Sequence, residues 1–355
     1  MRNGTLLYLH IPFCDSKCHY CSFNSYVEKS GLKNGYMEAA VKQLRNDLVE
    51  YGIERGSLTT LFIGGGTPST VKPELYEPFF SALEGYLSED AEITSEANPN
   101  SATKMWLKGM RDLGVNRISI GVQSFFDDKL RLLGRSHGAD DAVKAVERAA
   151  EAGFEHISVD LIYATALDSA ERLEDEIGRA LDLPIDHLSA YELTIEEGTP
   201  FQNSPEVRVE SIEQARAVRE LLKRRGWMEY EVSNFALSPC RHNLGYWEYR
   251  PYLGIGSGAV GRIGNVRYSP HRVVERYVEN PRFKEFETLS DEEMLHERIL
   301  LGLRSRIGVD SGLLDAKMRE RAELLVNESR LLYRDGRYFN RDYLLSDEVA
   351  LFIIG

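Results

Sequence analysis

The chain has 355 residues, 43 Lys plus Arg against 56 Asp plus Glu, and a formal net charge of −13. With 43% hydrophobic and 28% charged residues it has the make-up of a globular protein, not of a disordered one. The acidic balance argues against nucleic acid as a main partner, which needs clustered Lys and Arg, and no apolar run approaches the roughly 18–20 residues of a membrane span.

In chain order, strand-like apolar runs alternate with amphipathic stretches. Strands are predicted over 6–11, 60–63, 91–95, 117–121, 156–162 and 187–193, and helices over 33–50, 73–86, 103–113, 140–152, 169–181 and 211–225. Between 33 and 50, for example, Met37, Val41, Leu44 and Leu48 recur at helical spacing, which gathers them on one face. This rhythm predicts six parallel βα units, two short of a closed eightfold barrel, with a seventh strand-like run at 228–232. The apolar start, Leu6-Leu7-Tyr8-Leu9, is too short for a signal-peptide core, so a cytoplasmic chain with reduced thiols is expected.

Almost every unusual residue follows a predicted strand. Cys14, Cys18 and Cys21 come after the first, Gly64-Gly65-Gly66-Thr67-Pro68 after the second, and Glu96-Ala97-Asn98-Pro99 ends the third. Gln123 follows the fourth, and Asp160 lies inside the fifth. In barrels of parallel βα units the C-terminal strand ends form the active face. Three thiols spaced four and three apart can aim at one point, and three readings stand. They form a zinc site completed by His10 or His19, or are three unrelated thiols, or hold an iron–sulfur cluster whose fourth iron lacks a protein ligand. The last arrangement leaves one iron open to an exogenous ligand.

Beyond residue 226 the pattern changes. Positions 237–289 read as a glycine- and aromatic-rich connecting segment that holds Cys240 and Arg241-His242-Asn243-Leu244-Gly245-Tyr246-Trp247. His242 offers an imidazole of the kind that ligates haem iron, Tyr246 and Trp247 offer flat apolar surface, and Cys240 is a second soft donor. The same residues also read as a satisfied loop histidine and core aromatics. Gly256-Ser257-Gly258-Ala259-Val260-Gly261 fits the dinucleotide fingerprint, but Arg262-Ile263-Gly264-Asn265 does not read as the helix that must follow, so no nicotinamide site is expected. Stretches 291–304 and 313–326 read as helices, and 331–333 and 338–340 flank Asp335-Gly336, a hairpin signal. A small, mainly α, winged-helix-like module is therefore expected at 290–355. With 10 basic and 13 acidic side chains over 291–355, it reads as a lid or packing module and not as a DNA binder. The predicted division is 1–236, 237–289 and 290–355.

Tyr8-Leu9-His10-Ile11-Pro12-Phe13-Cys14, followed by Cys18, Tyr20 and Cys21, resembles the cluster loop of radical S-adenosylmethionine (SAM) proteins. The leading Tyr-x-His-Ile-Pro-Phe-Cys resembles in particular the oxygen-independent coproporphyrinogen III oxidase-like family, which includes haem chaperones. The likeness runs from Tyr8 to the C-terminal module. It implies an α/β fold, an open partial (β/α)6 TIM-like barrel, with a [4Fe–4S] cluster on Cys14, Cys18 and Cys21 and SAM on the free iron. It also implies SAM contacts from Tyr8, Tyr20, Gly65, Gly66, Thr67, Glu96, Gln123, Arg135 and Asp160, the glycines permitting close backbone approach.

Within the family, the oxidase branch carries a fourth cysteine two positions after the third, where this chain has Phe23. His242, Asn243, Tyr246 and Trp247 match the His-Asn-x-x-Tyr-Trp motif associated with haem binding in the chaperone branch, and Gly134-Arg135-Ser136-His137 also looks like that branch. Where the family continues Gly254-Ile255-Gly256-Ser257-Gly258-Ala259 with His-Ser, this chain has Val260-Gly261, which removes a polar group near the expected haem site. The resemblance thus implies a chaperone that binds haem or a related tetrapyrrole and hands it to acceptor haemoproteins, respiratory ones among them, and it allows a homodimer. The alternative it leaves is the oxidase, which turns propionates of coproporphyrinogen III into vinyls by SAM-radical decarboxylation.

Overall fold

The computed structural model describes residues 4–209 and 211–355. Its first part runs β1 (Thr5–Ile11), α1 (Lys33–Glu50), β2 (Leu58–Gly65), α2 (Glu77–Ala82), β3 (Leu87–Ala97), α3 (Lys104–Asp112) and β4 (Arg117–Gln123). It continues with α4 (Asp127–Leu132), α5 (Ala139–Glu151), β5 (His156–Tyr163), α6 (Ala170–Leu181), β6 (His187–Glu192) and α7 (Ile212–Arg224). The six strands pair in parallel and in sequence order, as the alternating pattern predicts. Because side chains alternate along a strand, Leu7, Leu9 and Ile11 join the core under the helices, while Tyr8 and His10 lie on the opposite face. Met37, Val41, Leu44 and Leu48 of α1 pack into that same core.

Three helices begin one residue later than the sequence pattern suggests, because the expected first residue is the cap. Thr103, Ser169 and Ser211 stay outside α3, α6 and α7, and their hydroxyls accept from the backbone N–H of Trp106, Arg172 and Gln214. The helix expected at 73–86 is broken into a 3-10 turn, Pro73–Leu75, and the short α2.

At the β6 edge the seventh strand-like run proves to be no barrel strand. β7 (Met228–Glu229) turns back into β8 (Asn234–Ala236), which pairs antiparallel with β6, so the parallel barrel stops at six units. The connecting segment does more than connect. After α8 (Arg241–Trp247), β9 (Tyr252–Ile255) pairs in parallel with β1 on the opposite edge. β10 (Gly261–Ile263), β11 (Val266–Pro270), α9 (Val274–Glu279) and β12 (Lys284–Thr288) follow, the strands antiparallel, completing a 12-stranded sheet. The dinucleotide-like glycine run ends in β10 and not in a helix, as expected.

The C-terminal module comprises α10 (Asp291–Leu303), β13 (Val309–Asp310), α11 (Ala316–Asn327), β14 (Leu331–Arg334), β15 (Arg337–Asn340) and α12 (Ser346–Ile354). It has its own core around Ile299, Leu303, Met318, Leu325, Val349 and Ile353. The β14–β15 wing turns at Asp335 and Gly336, both with positive φ (51° and 76°), the backbone that a two-residue hairpin requires. Among the described residues no helix is long and apolar enough to cross a membrane.

Candidate functional site

The loop after β1 closes on itself through Tyr26 N–H to Pro12 O (2.8 Å) and Cys14 N–H to Tyr26 O (3.1 Å). It presents Cys14, Cys18 and Cys21 to one cavity of about 420 Å³ at the C-terminal ends of the strands. Neighbouring donors point at the sulfurs: Arg135 Nη1 lies 3.0 Å from Cys18 Sγ, and Thr67 Oγ1 lies 3.5 Å from Cys14 Sγ. The α4 end holds the loop from the other side, since His19 N–H donates to Leu133 O (3.1 Å) and His19 Nδ1 lies 3.0 Å from Leu132 O.

Gly66 forms the floor. A Cβ there would lie 2.9 Å from the Ile11 and Phe13 carbonyl oxygens and 3.0 Å from Cys14 Sγ. Burial pushes the Cys14 and Cys21 thiols up, which favours the protonated form, whereas positive metal centres beside them would favour the thiolates. Three soft sulfur donors, cationic and hydroxyl donors aimed at them, and a glycine floor fit an iron–sulfur cluster.

The zinc reading finds no single-ion site. His10 is engaged at both nitrogens, by Tyr8 OH and Asn24 O (2.9 Å each), while His19 Nδ1 is held by Leu132 O, a bond that metal-bound histidines also make. Among the described residues no three His, Cys, Asp or Glu side chains converge on a single-ion site.

Tyr20, Gly65, Gly66, Thr67, Glu96, Gln123, Arg135 and Asp160 line the cavity that holds the cysteines. They come from five strand ends or the loops beyond them, so parallel pairing, not sequence proximity, assembles them. Gly65 has φ 113° and its N–H donates to Glu96 Oε2 (3.1 Å). A Cβ at this position would meet the His10 ring at 2.5 Å. Burial, then the charge of Asp160, pushes the Glu96 carboxyl up to about 8, and burial pushes Asp160 up to about 6. Two such acids suit a ligand that brings positive charge, as the sulfonium and ammonium of SAM do.

Arg135 reaches across with Nη2 to Asn98 Oδ1 (2.6 Å) and Gly121 O (2.8 Å). Gln123 ends β4 at φ 66°, a left-handed backbone uncommon for a non-glycine residue, and its side chain lines the cavity. Sequence reasoning missed Tyr191 and Glu192, which close the cavity at the β6 end. Their signal was the rule already applied to the other five strands.

Tyr8 is not among the residues that line this cavity. It pairs with Phe62 in the β1–β2 register, two residues below His10 and Gly64, and so sits one layer beneath the cysteine cavity. It lines a second cavity, of about 760 Å³, with Phe62, His242, Tyr246, Tyr252 and Val260. Ser22 and Phe23 line both cavities, and Phe23 is 64% exposed.

His242 and Tyr246, four residues apart on α8, share a face, their rings edge to face at 4.8 Å. Trp247 lies one step further round the helix and does not line the cavity, so the expected trio reduces to His242 and Tyr246. Cys240 is likewise no free soft donor, since its buried thiol points at Glu92 Oε1 (3.3 Å). His242 Nδ1 lies 2.7 Å from Thr60 Oγ1, while Nε2 is buried without a partner. Burial pushes the imidazole down to about 3, so the ring is neutral. Gly261, which follows the unusual Val260, admits the Tyr268 ring, which a Cβ there would meet at 2.2 Å.

Residues 8–180 match the family model described as the radical SAM superfamily. The chain is similar to the heme chaperone HemW of Bacillus subtilis (strain 168), 36% identical over 319 residues that cover 85% of this chain and 84% of that protein. The HemW of Escherichia coli (strain K12) is 38% identical over 268 residues, covering 72% and 70%. The mitochondrial radical S-adenosyl methionine domain-containing protein 1 of Mus musculus is 34% identical over 330 residues, covering 85% and 74%. Among solved structures, coproporphyrinogen III oxidase (HemN) from Escherichia coli superposes with a TM-score of 0.81 at 19% identity, over 99% of this chain and 90% of that one, a likeness of fold.

Proposed function

The chain belongs to the radical SAM superfamily and, within it, to the family of the heme chaperone HemW, and from that premise we propose that it binds haem and delivers it to acceptor haemoproteins. One observation carries the reading. His242 Nε2 is buried and unpartnered, and its ring lines a 760 Å³ cavity walled by Tyr8, Phe62, Tyr246 and Tyr252. An imidazole nitrogen with a free lone pair is a common axial ligand of haem iron, and aromatic walls offer flat contact to a macrocycle. Phe23 stands where the oxidase branch carries its fourth cysteine, and a phenyl ring can neither ligate metal nor carry a proton.

In this reading Cys14, Cys18 and Cys21 hold a [4Fe–4S] cluster, and Glu96, Asp160, Arg135, Gln123, Tyr20 and the loop from Gly65 to Thr67 hold SAM. When bound, these groups supply low-potential electron and radical chemistry, while the chain supplies position and charge. Arg135 and Thr67 orient the sulfurs, and the paired acids balance a cationic ligand. The division of labour follows the chain, with cluster and SAM on 1–236, the haem ligand on 237–289, and a packing module at 290–355. The reading includes a cytoplasmic location, and a homodimer is compatible with it. A net charge of −13 is repelled by anionic lipid, so delivery to membrane-bound respiratory acceptors would rest on specific protein docking.

The test is an anaerobic haem titration of the cluster-reconstituted protein, followed by absorbance, beside His242→Ala. Saturation near one haem per chain, weakened by the substitution, is expected. Absence of saturable haem binding, with SAM-dependent conversion of coproporphyrinogen III to a vinyl product, would place the chain with the oxidases instead.

A further inference from the structure

We propose that Thr60 fixes His242 as an axial ligand and thereby makes the second cavity selective for a metalloporphyrin over the metal-free ring, an inference that rests on the haem-binding reading. Thr60 faces inward on β2, two residues before Phe62, and is completely buried. Its hydroxyl is the partner of His242 Nδ1, at 2.7 Å.

The backbone beneath the ring is pinned separately. Glu92 accepts the N–H of Arg241 at Oε2 (3.0 Å) and the N–H of His242 at Oε1 (2.9 Å), with the Arg117 guanidinium 3.7 Å away to balance its charge. Glu92 therefore sets where residue 242 stands, and Thr60 sets how its ring is turned. Phe62, 5.1 Å away, and Tyr246, edge-on at 4.8 Å, close the remaining sides.

The two nitrogens then have different fates. A neutral imidazole carries one proton; on Nδ1 it is donated to Thr60 Oγ1, which leaves the Nε2 lone pair unpartnered on a ring that lines the cavity. Without the hydroxyl, an Nδ1–H would be a buried donor with no acceptor, which disfavours that form. The proton would then favour Nε2 as readily and cap the lone pair. Partners of this kind orient most metal-bound histidines, and losing one typically lowers metal affinity about 10–100-fold. The aromatic walls, by contrast, hold any flat macrocycle, with or without a metal.

The experiment titrates the full chain with haem and, separately, with metal-free protoporphyrin IX, for wild type, Thr60→Val, Thr60→Ser and His242→Ala. Thr60→Val is expected to weaken haem binding about 10–100-fold, to leave protoporphyrin binding unchanged, and to give the haem spectrum of His242→Ala. Thr60→Ser, which keeps the hydroxyl, is expected to behave as wild type. Equal weakening of both rings by Thr60→Val would reduce Thr60 to packing and overturn the proposal. So would an unchanged haem affinity and spectrum in Thr60→Val while His242→Ala loses both. If His242→Ala itself keeps the haem affinity and spectrum of wild type, the assignment of the ligand falls, and the role of Thr60 with it.

Discussion

Replacing Lys129 with Met removes the positive centre of a fully buried triad that holds α4 against the barrel. Lys129 Nζ lies 2.7 Å from both Asp168 Oδ1 and Glu176 Oε2, and the three side chains are 0%, 1% and 2% exposed. Each acid is also fixed by other donors. Glu176 Oε1 accepts from Ser124 Oγ and from Phe125 N–H (3.1 Å), and Asp168 Oδ2 accepts from Thr165 N–H and Oγ1, both at 2.8 Å. With the ammonium gone, the acids cannot turn to water, and breaking one side of such a buried pair costs roughly 3–5 kcal/mol. With a urea m-value of ~3 kcal/mol/M, at the upper end for globular domains, that loss lowers the midpoint by about 1–1.7 M. Far-UV circular dichroism of anaerobic wild type and variant over a urea series measures it. Lys129→Met with Asp168→Asn and Glu176→Gln removes every charge of the triad and should recover most of the loss, because the cost lies in unpaired charge and not in missing volume. A midpoint within about 0.3 M of wild type for the single variant, a loss under ~1 kcal/mol, would refute the reasoning. The consequence reaches the cysteines, because Leu132, Leu133 and Arg135 hold His19 and Cys18 from the end of this helix. The single variant should therefore also retain less iron after reconstitution.

Gly66→Ala places a methyl against two carbonyl oxygens and Cys14 Sγ at about 3 Å, and backbone cannot yield as a side-chain tip does. Iron and sulfide content after reconstitution should fall sharply while the far-UV spectrum is unchanged. A full complement of iron would mean that the loop shifts freely. For Glu96 the sign runs from a raised carboxyl. Its folded value of about 8 lies above the ordinary 4.5, so the stability it contributes is fully present below pH 4.5 and is lost as pH rises through about 8. Glu96→Gln should match wild type in thermal midpoint near pH 5 and exceed it above pH 8. Parallel curves for the two proteins across that range would rule out a buried, uncompensated acid at this position.

The parallel core of the fold was legible because its strands are apolar at alternate positions and amphipathic helices follow them, three with a Thr or Ser cap, signals that lie within a dozen residues of one another. β9 was not legible. Tyr252–Ile255 is a four-residue strand among glycines, and its partner β1 lies more than 240 positions earlier, so nothing local marks it. α4 reads as polar, Asp127-Asp128-Lys129-Leu130-Arg131-Leu132, because the lysine that anchors it is buried by acids 39 and 47 positions away.

The same distinction between local and distant signals explains the site. Residues at strand ends share one cavity because the topology brings all strand ends together, whatever the register. Tyr8 lies outside the lining of the cysteine cavity and Trp247 outside that of the second, because their positions depend on finer geometry. A step of two residues along a strand is ~6.6 Å, enough to move Tyr8 a layer below the cysteines. A step of five along a helix is about 500°, which turns Trp247 roughly 140° from His242. Thr60, Phe62 and Glu92 escaped notice for the converse reason. They occupy the inward face of β2 and β3, and a mixed row of hydroxyl, phenyl and carboxylate resembles an ordinary half-exposed strand. Only when α8, some 180 positions later, turns out to seat against that row do these residues become the supports of an imidazole. The lumen of this barrel is thus polar where a closed barrel would be packed with branched apolar side chains, and the difference follows from what fills it. Here the filling is a short helix whose backbone needs acceptors and whose histidine needs a partner.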